Sequence, residues 1–409
     1  MPPKLWTKNF TIITVGSLVS IMGNVVAGFA ISLMVLDYTQ SVFLFTFYIV
    51  IYNLPKLVMP LIMGPYLDRF SRKRVIYSLD FLSSALYLGM FVLTYLGWFS
   101  YGPFLLICAL IGAIDSTYLV AYDSLYPTLV DKENFRQAYS IASMLSNLSV
   151  LVGPIAAFAY EKLGSSSPLF LFNAGVFLVS AIFKTRIDAR ESHITGAAMQ
   201  FSLSSWIQDF KAGLRYIKAE PGLLVITSYF FFVYIGDGAT ALTMPYFKAT
   251  PGLGVMAYTL VLSGGVIGRI LGAGIQYRFK FPSQRKLDIA RWVYLITTVL
   301  TGVYLFMPTP LTMAVTQVFI GLMGVTSYNI RIASTQTYVP NSHRARFNGS
   351  FQMVTNLGLI LGQLVCGALG DFLPIRGIFL TIMGIQLTAY IFTMGSKGKL
   401  VRPIYNMDM

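Results

Sequence analysis

Histidine and cysteine are almost missing from this chain, with two of each among 409 residues. Cys108 and Cys366 both fall inside apolar runs, and His193 and His343 fall in expected loops. Neither a disulfide framework nor a Cys/His metal or catalytic cluster can be built from them. Charge is also scarce, at 11% of residues, and only 16 of those residues are acidic. A membrane-embedded enzyme needs acids or histidines gathered at one depth, whereas this chain offers scattered single charges, so no enzyme activity and no cofactor are expected. No G-x-x-x-x-G-K-[ST] phosphate loop occurs, which argues against direct use of ATP.

What is present is hydrocarbon. The chain is 56% hydrophobic, with a mean hydropathy of +0.67, a composition that describes an integral membrane protein. Twelve apolar windows, each long enough to cross about 30 Å of hydrocarbon as a helix, can be cut at residues 10–36, 43–66, 75–97, 103–127, 138–160, 167–185, 221–246, 255–277, 288–307, 310–338, 348–370 and 374–395. The first runs past 25 residues without a small-residue cleavage site and is expected to remain as a span.

The formal charge of +14 invites a nucleic-acid reading, but its distribution argues otherwise. With the N-terminus inside, 24 of the 30 lysines and arginines fall on the cytoplasmic side, six of them in and beside the central loop. Only Lys162, Lys248 and Arg376 fall opposite. That asymmetry sets orientation and contact with anionic lipid headgroups. Lys56, Arg269 and Arg331 remain within spans. Trp98 and Trp292 near span ends, and Trp6 and Trp206 in cytoplasmic flanks, suit headgroup depth.

The long polar segment between the sixth and seventh spans divides them six and six. We expect an N-terminal bundle at 1–185, a linker at 186–220 and a C-terminal bundle with a short tail at 221–409. Within the linker, Trp206, Ile207, Phe210, Leu214 and Ile217 share one helical face, predicting an amphipathic helix in the cytoplasmic interface, with a solvated connector as the alternative. An internal repeat supports the division. Val130–Pro154 aligns on Val339–Gln363 at an offset of 209, and an offset of 213 pairs Asn24 with Asp237 and Lys56 with Arg269.

The turn Gly64-Pro65-Tyr66-Leu67-Asp68-Arg69-Phe70-Ser71-Arg72-Lys73-Arg74 puts four cations into six residues and marks a membrane face. It resembles the loop between spans 2 and 3 of the major facilitator superfamily, G-x-x-x-D-R-x-G-R-[RK], with Ser71 in place of Gly. The resemblance covers the whole chain and implies an all-α fold of twelve transmembrane helices in two pseudo-symmetric six-helix bundles. It also implies a cytoplasmic gate of Gly64, Asp68, Arg69, Arg72 and Asp123, with Asp68 capping span 11 and Arg72 pairing with Asp123 on span 4. The alternative is that both acids only anchor loops to headgroups. In span 5, Ser149 to Phe158 resembles the G-x-x-x-G-P-x-x-G-G motif of drug-proton antiporters, retaining Gly153 and Pro154. Gly358 and Gly362 stand at the equivalent place in span 11, a helix-packing role. Met34 to Ser41 and Asp209 to Tyr216 look like the efflux branch that includes macrolide and siderophore exporters.

Within the spans, Asp115 and Asp237 lie near the bilayer centre, where an unpaired carboxylate costs about 2.5–3.5 kcal/mol on insertion. In the resembling family spans 1, 4, 7 and 10 line a central cavity. The candidate substrate and proton residues are therefore Asn24, Lys56, Asp115, Tyr118, Tyr122, Tyr234, Asp237, Arg269, Asn329, Arg331 and Gln336, with Gln317 nearby. The two acids either carry protons or form permanent ion pairs with Arg269, Arg331 or Lys56. Asn24 and Gln336 suit helix packing, and Tyr118, Tyr122 and Tyr234 a stacking wall. Asp80 and Asp37 read as interface residues near span ends. The resemblance implies export of an amphipathic, drug-like or siderophore-like molecule by alternating access with proton antiport. An importer, a lipid or metabolite facilitator, or a non-transporting sensor or scaffold remains open on the same fold. The expected partners are a small-molecule substrate, protons and membrane lipids, without nucleic acid, the chain acting as a monomer. The expected location is a bacterial inner membrane, multi-pass, with both termini cytoplasmic.

Overall fold

The computed structural model describes residues 5–67, 70–131, 134, 137–138, 141–142, 152–188, 203–278 and 282–407. Among these residues the structure is helical, and eleven helical segments are long and apolar enough to cross a membrane. The span expected at 138–160 lies largely outside the described residues; its final part is described as a helix at Gly153–Leu163. The chain separates into two compact units, Met1–Phe201 and Ser202–Met409.

The first unit holds α1 (Lys8–Thr39), α2 (Val42–Leu67), α3 (Arg72–Tyr95), α4 (Tyr101–Leu125), α5 (Gly153–Leu163) and α6 (Ser167–Lys184). Local chemistry sets several boundaries. The Thr7 hydroxyl accepts from the Phe10 amide at 3.2 Å to open α1, and Ser71 caps α3 by accepting from Arg74 at 3.3 Å. Gln40 adopts a left-handed φ of 48° and ends α1. Phe10, Ile13, Ile76, Leu125 and Tyr126 form a core at one end of this unit.

The second unit holds α7 (Leu203–Ala219), α8 (Pro221–Gly238), α9 (Thr243–Ala249), α10 (Gly254–Arg278), α11 (Lys286–Val303), α12 (Pro310–Tyr338), α13 (Asn341–Gly370), α14 (Ile375–Tyr390) and α15 (Gly398–Tyr405). Thr309 and Thr312 form a reciprocal capping box at the start of α12, with Pro310 in its first turn. α10 packs along α12 through a glycine stripe. A Cβ on Gly264 or Gly268 would meet the Ala314 carbonyl at 2.3 Å or the Val318 carbonyl at 2.0 Å, so the two backbones touch.

The amphipathic α7 docks on α13 rather than lying free. Gly213 sits against Ser350 and Arg346, and the Ser350 hydroxyl donates to the Phe210 carbonyl at 3.2 Å. α15 closes one end of this unit, burying Val401, Ile404 and Tyr405. Arg291 holds its approach by donating to the Met394 and Gly395 carbonyls at 2.6–2.8 Å. Large apolar side chains remain exposed along the spans, among them Leu106, Leu110, Val179 and Phe319. In water that surface would be unfavourable; against acyl chains it is the expected exterior.

Candidate functional site

In the first unit, Gly112 on α4 brings a polar group together. A Cβ there would lie 1.9 Å from the Tyr52 carbonyl, so α2 and α4 meet backbone to backbone. One turn on, the Tyr52 hydroxyl donates to the Asp115 carboxylate at 2.5 Å. Asn24 faces that carboxylate from α1, and Lys56 is close enough to attract it. The Lys56 ammonium also rests 3.9 Å from the centre of the Tyr52 ring. Asn24, Lys56 and Asp115 thus come together, with Tyr52 as the member that sequence reasoning missed.

A second cluster was not foreseen. The Lys184 ammonium lies 2.7 Å from Asp80, and the two side chains are 0% and 2% exposed. Lys184 also donates to Ser20 at 2.9 Å and Tyr118 at 2.7 Å, while Ser180 donates to Asp80 at 2.8 Å. Gly16 leaves the room that the lysine stem fills. This corrects two expectations. Asp80 is not an interface residue but half of a buried ion pair, because the turn of α3 points it into the bundle. Lys184, counted by sequence among the central-loop cations, is its partner on α6. Tyr118 is drawn into the same cluster, and its ring stacks on Tyr122 at 6.2 Å, which in turn packs on Tyr126 at 5.0 Å. Both tyrosines lean on the core of this unit.

At the expected gate, Asp68 and Arg69 lie outside the described residues, and Gly64 stands within the last turn of α2. Arg72 does reach α4, but its Nη1 donates to the Ser124 carbonyl at 3.0 Å. Asp123 makes no ion pair among the described residues, which corrects the expected Arg72–Asp123 pair: at a helix terminus, exposed carbonyls compete for the guanidinium. Gly153 packs beneath the Phe29 ring, and Pro154 occupies the first turn of α5.

The second unit contains a cavity of about 670 Å³ walled by Asp237, Tyr258, Arg269, Tyr304, Gln317 and Tyr328, with further small and apolar neighbours. Asp237 and Arg269 are both open to it. Neither side chain forms a hydrogen bond or ion pair among the described residues. For these two residues the permanent ion pair is therefore not formed. Asp237 owes its position to its glycine neighbours. Gly238 packs against Gly362 and Gln363, and after it the helix loosens into a 3₁₀ turn at Ala239–Leu242. Gly358 and Gly362 make the seam of α13 with α8, where added Cβ atoms would meet the Phe231 and Ile235 carbonyls at 2.6 Å and 2.0 Å.

Other candidates turn out to bind helices together. Asn329 donates to Gln276 at 3.0 Å, and Gln276 donates to Thr326 at 2.9 Å, joining α12 to α10. Gln336 donates to Asn348 at 2.8 Å, joining α12 to α13. Tyr234 packs against the core of this unit. Arg331 is 8% exposed and lies over the rings of Phe351, Phe230 and Tyr328 at 4.6, 5.2 and 5.3 Å.

Residues 13–287 and 278–399 match the sequence model of the Major Facilitator Superfamily. An uncharacterized MFS-type transporter, YkuC of Bacillus subtilis (strain 168), is 26% identical over 289 residues, 67% of this chain and 66% of the relative. Macrolide efflux protein A of Streptococcus pyogenes is 23% identical over 276 residues, 65% of this chain and 66% of that protein. The chain thus spans just under two thirds of the length of these two relatives. Among solved structures, the nucleoside transporter NupG superposes with a TM-score of 0.70 at 14% identity, covering 95% of this chain and 98% of that one; at that identity the likeness speaks for the fold.

Proposed function

We propose, from the premise that this chain belongs to the Major Facilitator Superfamily and is a membrane transporter, that it exports an amphipathic small organic molecule by alternating access, driven by proton antiport. The observation that carries this reading is the cavity in which Asp237 and Arg269 face open space without side-chain partners among the described residues. Opposite charges in the lining of one cavity suit a ligand that bears polar groups at two places, and the surrounding tyrosines suit its apolar part. An unpaired carboxylate at membrane depth is a group whose proton occupancy answers to the arrival of a ligand. Asp115, held by Tyr52 and faced by Asn24 and Lys56, is the second carboxylate available for such exchange. The efflux relative favours export over import.

The reading implies a small-molecule substrate, protons as the coupling ion, a monomeric unit of function, and a bacterial inner membrane with both termini cytoplasmic. It is tested by uptake into inverted vesicles with and without an inside-acid gradient, using labelled macrolides, siderophore-like chelators and lipophilic cations. Gradient-driven uptake that disappears in Asp237→Asn is the expected result. Uptake indifferent to the gradient would replace antiport with facilitation.

A further inference from the structure

On α12, Gln317, Gly321, Gly324 and Tyr328 all line the cavity. Their spacing alternates four and three, which is one continuous stripe of a helix. The next position on that stripe is Arg331. Its guanidinium carries five N–H donors, and the residue is buried, with 8% exposure. Yet among the described residues no carboxylate, carbonyl or hydroxyl accepts from it. Three aromatic faces surround it, attracting the charge without accepting a hydrogen bond, and the Tyr294 and Tyr405 hydroxyls lie near enough to feel that charge. A buried cation with its donors unused is costly unless a ligand completes it.

We propose that Arg331 is an oxyanion-binding post at the end of the cavity stripe, taking a carboxylate or phosphate whose apolar body lies against Tyr328 and along the cavity. The planar fork of donors matches two oxygens of such a group; the buried Phe230 and Phe351 rings hold the guanidinium in place, and Tyr328 presents hydrocarbon to the rest of the ligand. Identifying that ligand as cargo rests on the transport reading above; the existence of the site does not.

Binding is therefore measured without any gradient, by calorimetry on the full chain in phosphatidylcholine nanodiscs. The probes are decanoate, decyl phosphate, decyl glucoside and decyltrimethylammonium. Decanoate and decyl phosphate are expected to bind at least tenfold more tightly than the glucoside. Arg331→Gln should lose that advantage while leaving the glucoside unchanged, and Arg331→Lys should keep part of it. Equal affinity for all four headgroups in the wild type would overturn the proposal, whether or not Arg331→Gln folds. So would an anion preference that survives in folded Arg331→Gln. Repeating the titration with phosphatidylglycerol in the nanodisc separates two sources, both of which support the site. Competition by the lipid assigns the oxyanion to a headgroup; its absence assigns it to a free molecule. A wild-type protein that binds the anions but shows no gradient-driven uptake would count against the antiport reading and leave Arg331's role standing.

Discussion

The Lys184 ammonium on α6 and the Asp80 carboxylate on α3 lie 2.7 Å apart with essentially no solvent access. Ser20, Ser180 and Tyr118 occupy the remaining donor and acceptor positions. Removing one member leaves the other charged, buried and unpaired, which costs about 3–5 kcal/mol. Lys184→Met and Asp80→Leu are each expected to lower the thermal midpoint in detergent sharply. The double variant Asp80→Leu/Lys184→Met should recover much of the loss, since no charge is then left behind. Single variants as stable as the wild type would show that the pair contributes nothing to folding.

Asp237 and Asp115 should separate stability from transport. Asp237 makes no side-chain hydrogen bond among the described residues, so Asp237→Asn is expected to shift stability by no more than about 0.5 kcal/mol, as for other sites with no partner to orphan. Asp115→Asn weakens a 2.5 Å hydrogen bond from Tyr52 and removes the charge opposite Lys56, with an expected cost of about 1–3 kcal/mol. Both should abolish gradient-driven uptake in inverted vesicles. An active Asp237→Asn transporter would remove this residue from the proton path.

These contrasts show what could be read before folding and what could not. Asp115, Asp237, Arg269 and Arg331 stood out in the sequence because a charge inside an apolar run has few uses. Lys184 did not, because it occupies the last turn of its span beside Thr185 and Arg186, where a lysine ordinarily reaches headgroups. Only folding brings Asp80 to it from 104 positions away. The Tyr52 contact was hidden for a related reason: tyrosine is common here, and only Gly112 shows which one approaches α4. The Gly264, Gly268, Gly272 stripe was not among the packing residues expected from the sequence, although a four-residue repeat of small residues is the usual signature of a close helix seam. Arg72 shows a finer limit, since the family resemblance brought it to the end of α4 but could not choose between the Asp123 carboxylate and the Ser124 carbonyl.

The α8–α13 seam gives a steric prediction. A methyl group at Gly362 would lie 2.0 Å from the Ile235 carbonyl, a backbone atom that cannot swing aside. Gly362→Ala should therefore destabilise by about 1–3 kcal/mol, the usual range for overpacking. Gly28→Ala, which meets nothing within 4 Å, is the control and should be neutral or slightly stabilising through helix propensity. Because Gly362 also touches Gly238 beside Asp237, the alanine variant should weaken transport even where protein accumulates normally. Thermal unfolding paired with vesicle uptake checks both parts.

The closing helix α15 supplies a pH prediction outside the spans. Burial of Tyr405 pushes its hydroxyl up from the ordinary 10.0 to about 12, while hydrogen bonding with Tyr294 at 2.8 Å and the nearby Arg331 charge pull it back in part. A group whose pKa is higher in the folded state keeps its proton there longer than in the unfolded chain. Its contribution is complete below about pH 10 and is lost as pH rises through about 12. The wild-type protein should therefore lose stability across that window more steeply than Tyr405→Phe, which has no proton to release. At neutral pH the phenylalanine variant should be modestly weaker, because the Tyr294 hydroxyl loses its partner, at a cost of about 1 kcal/mol. Unfolding midpoints for the two proteins between pH 8 and 11.5 would test both signs. Parallel curves would mean that Tyr405 ionises as readily in the folded protein as in the unfolded one, and that α15 does not seal the end of the bundle against water.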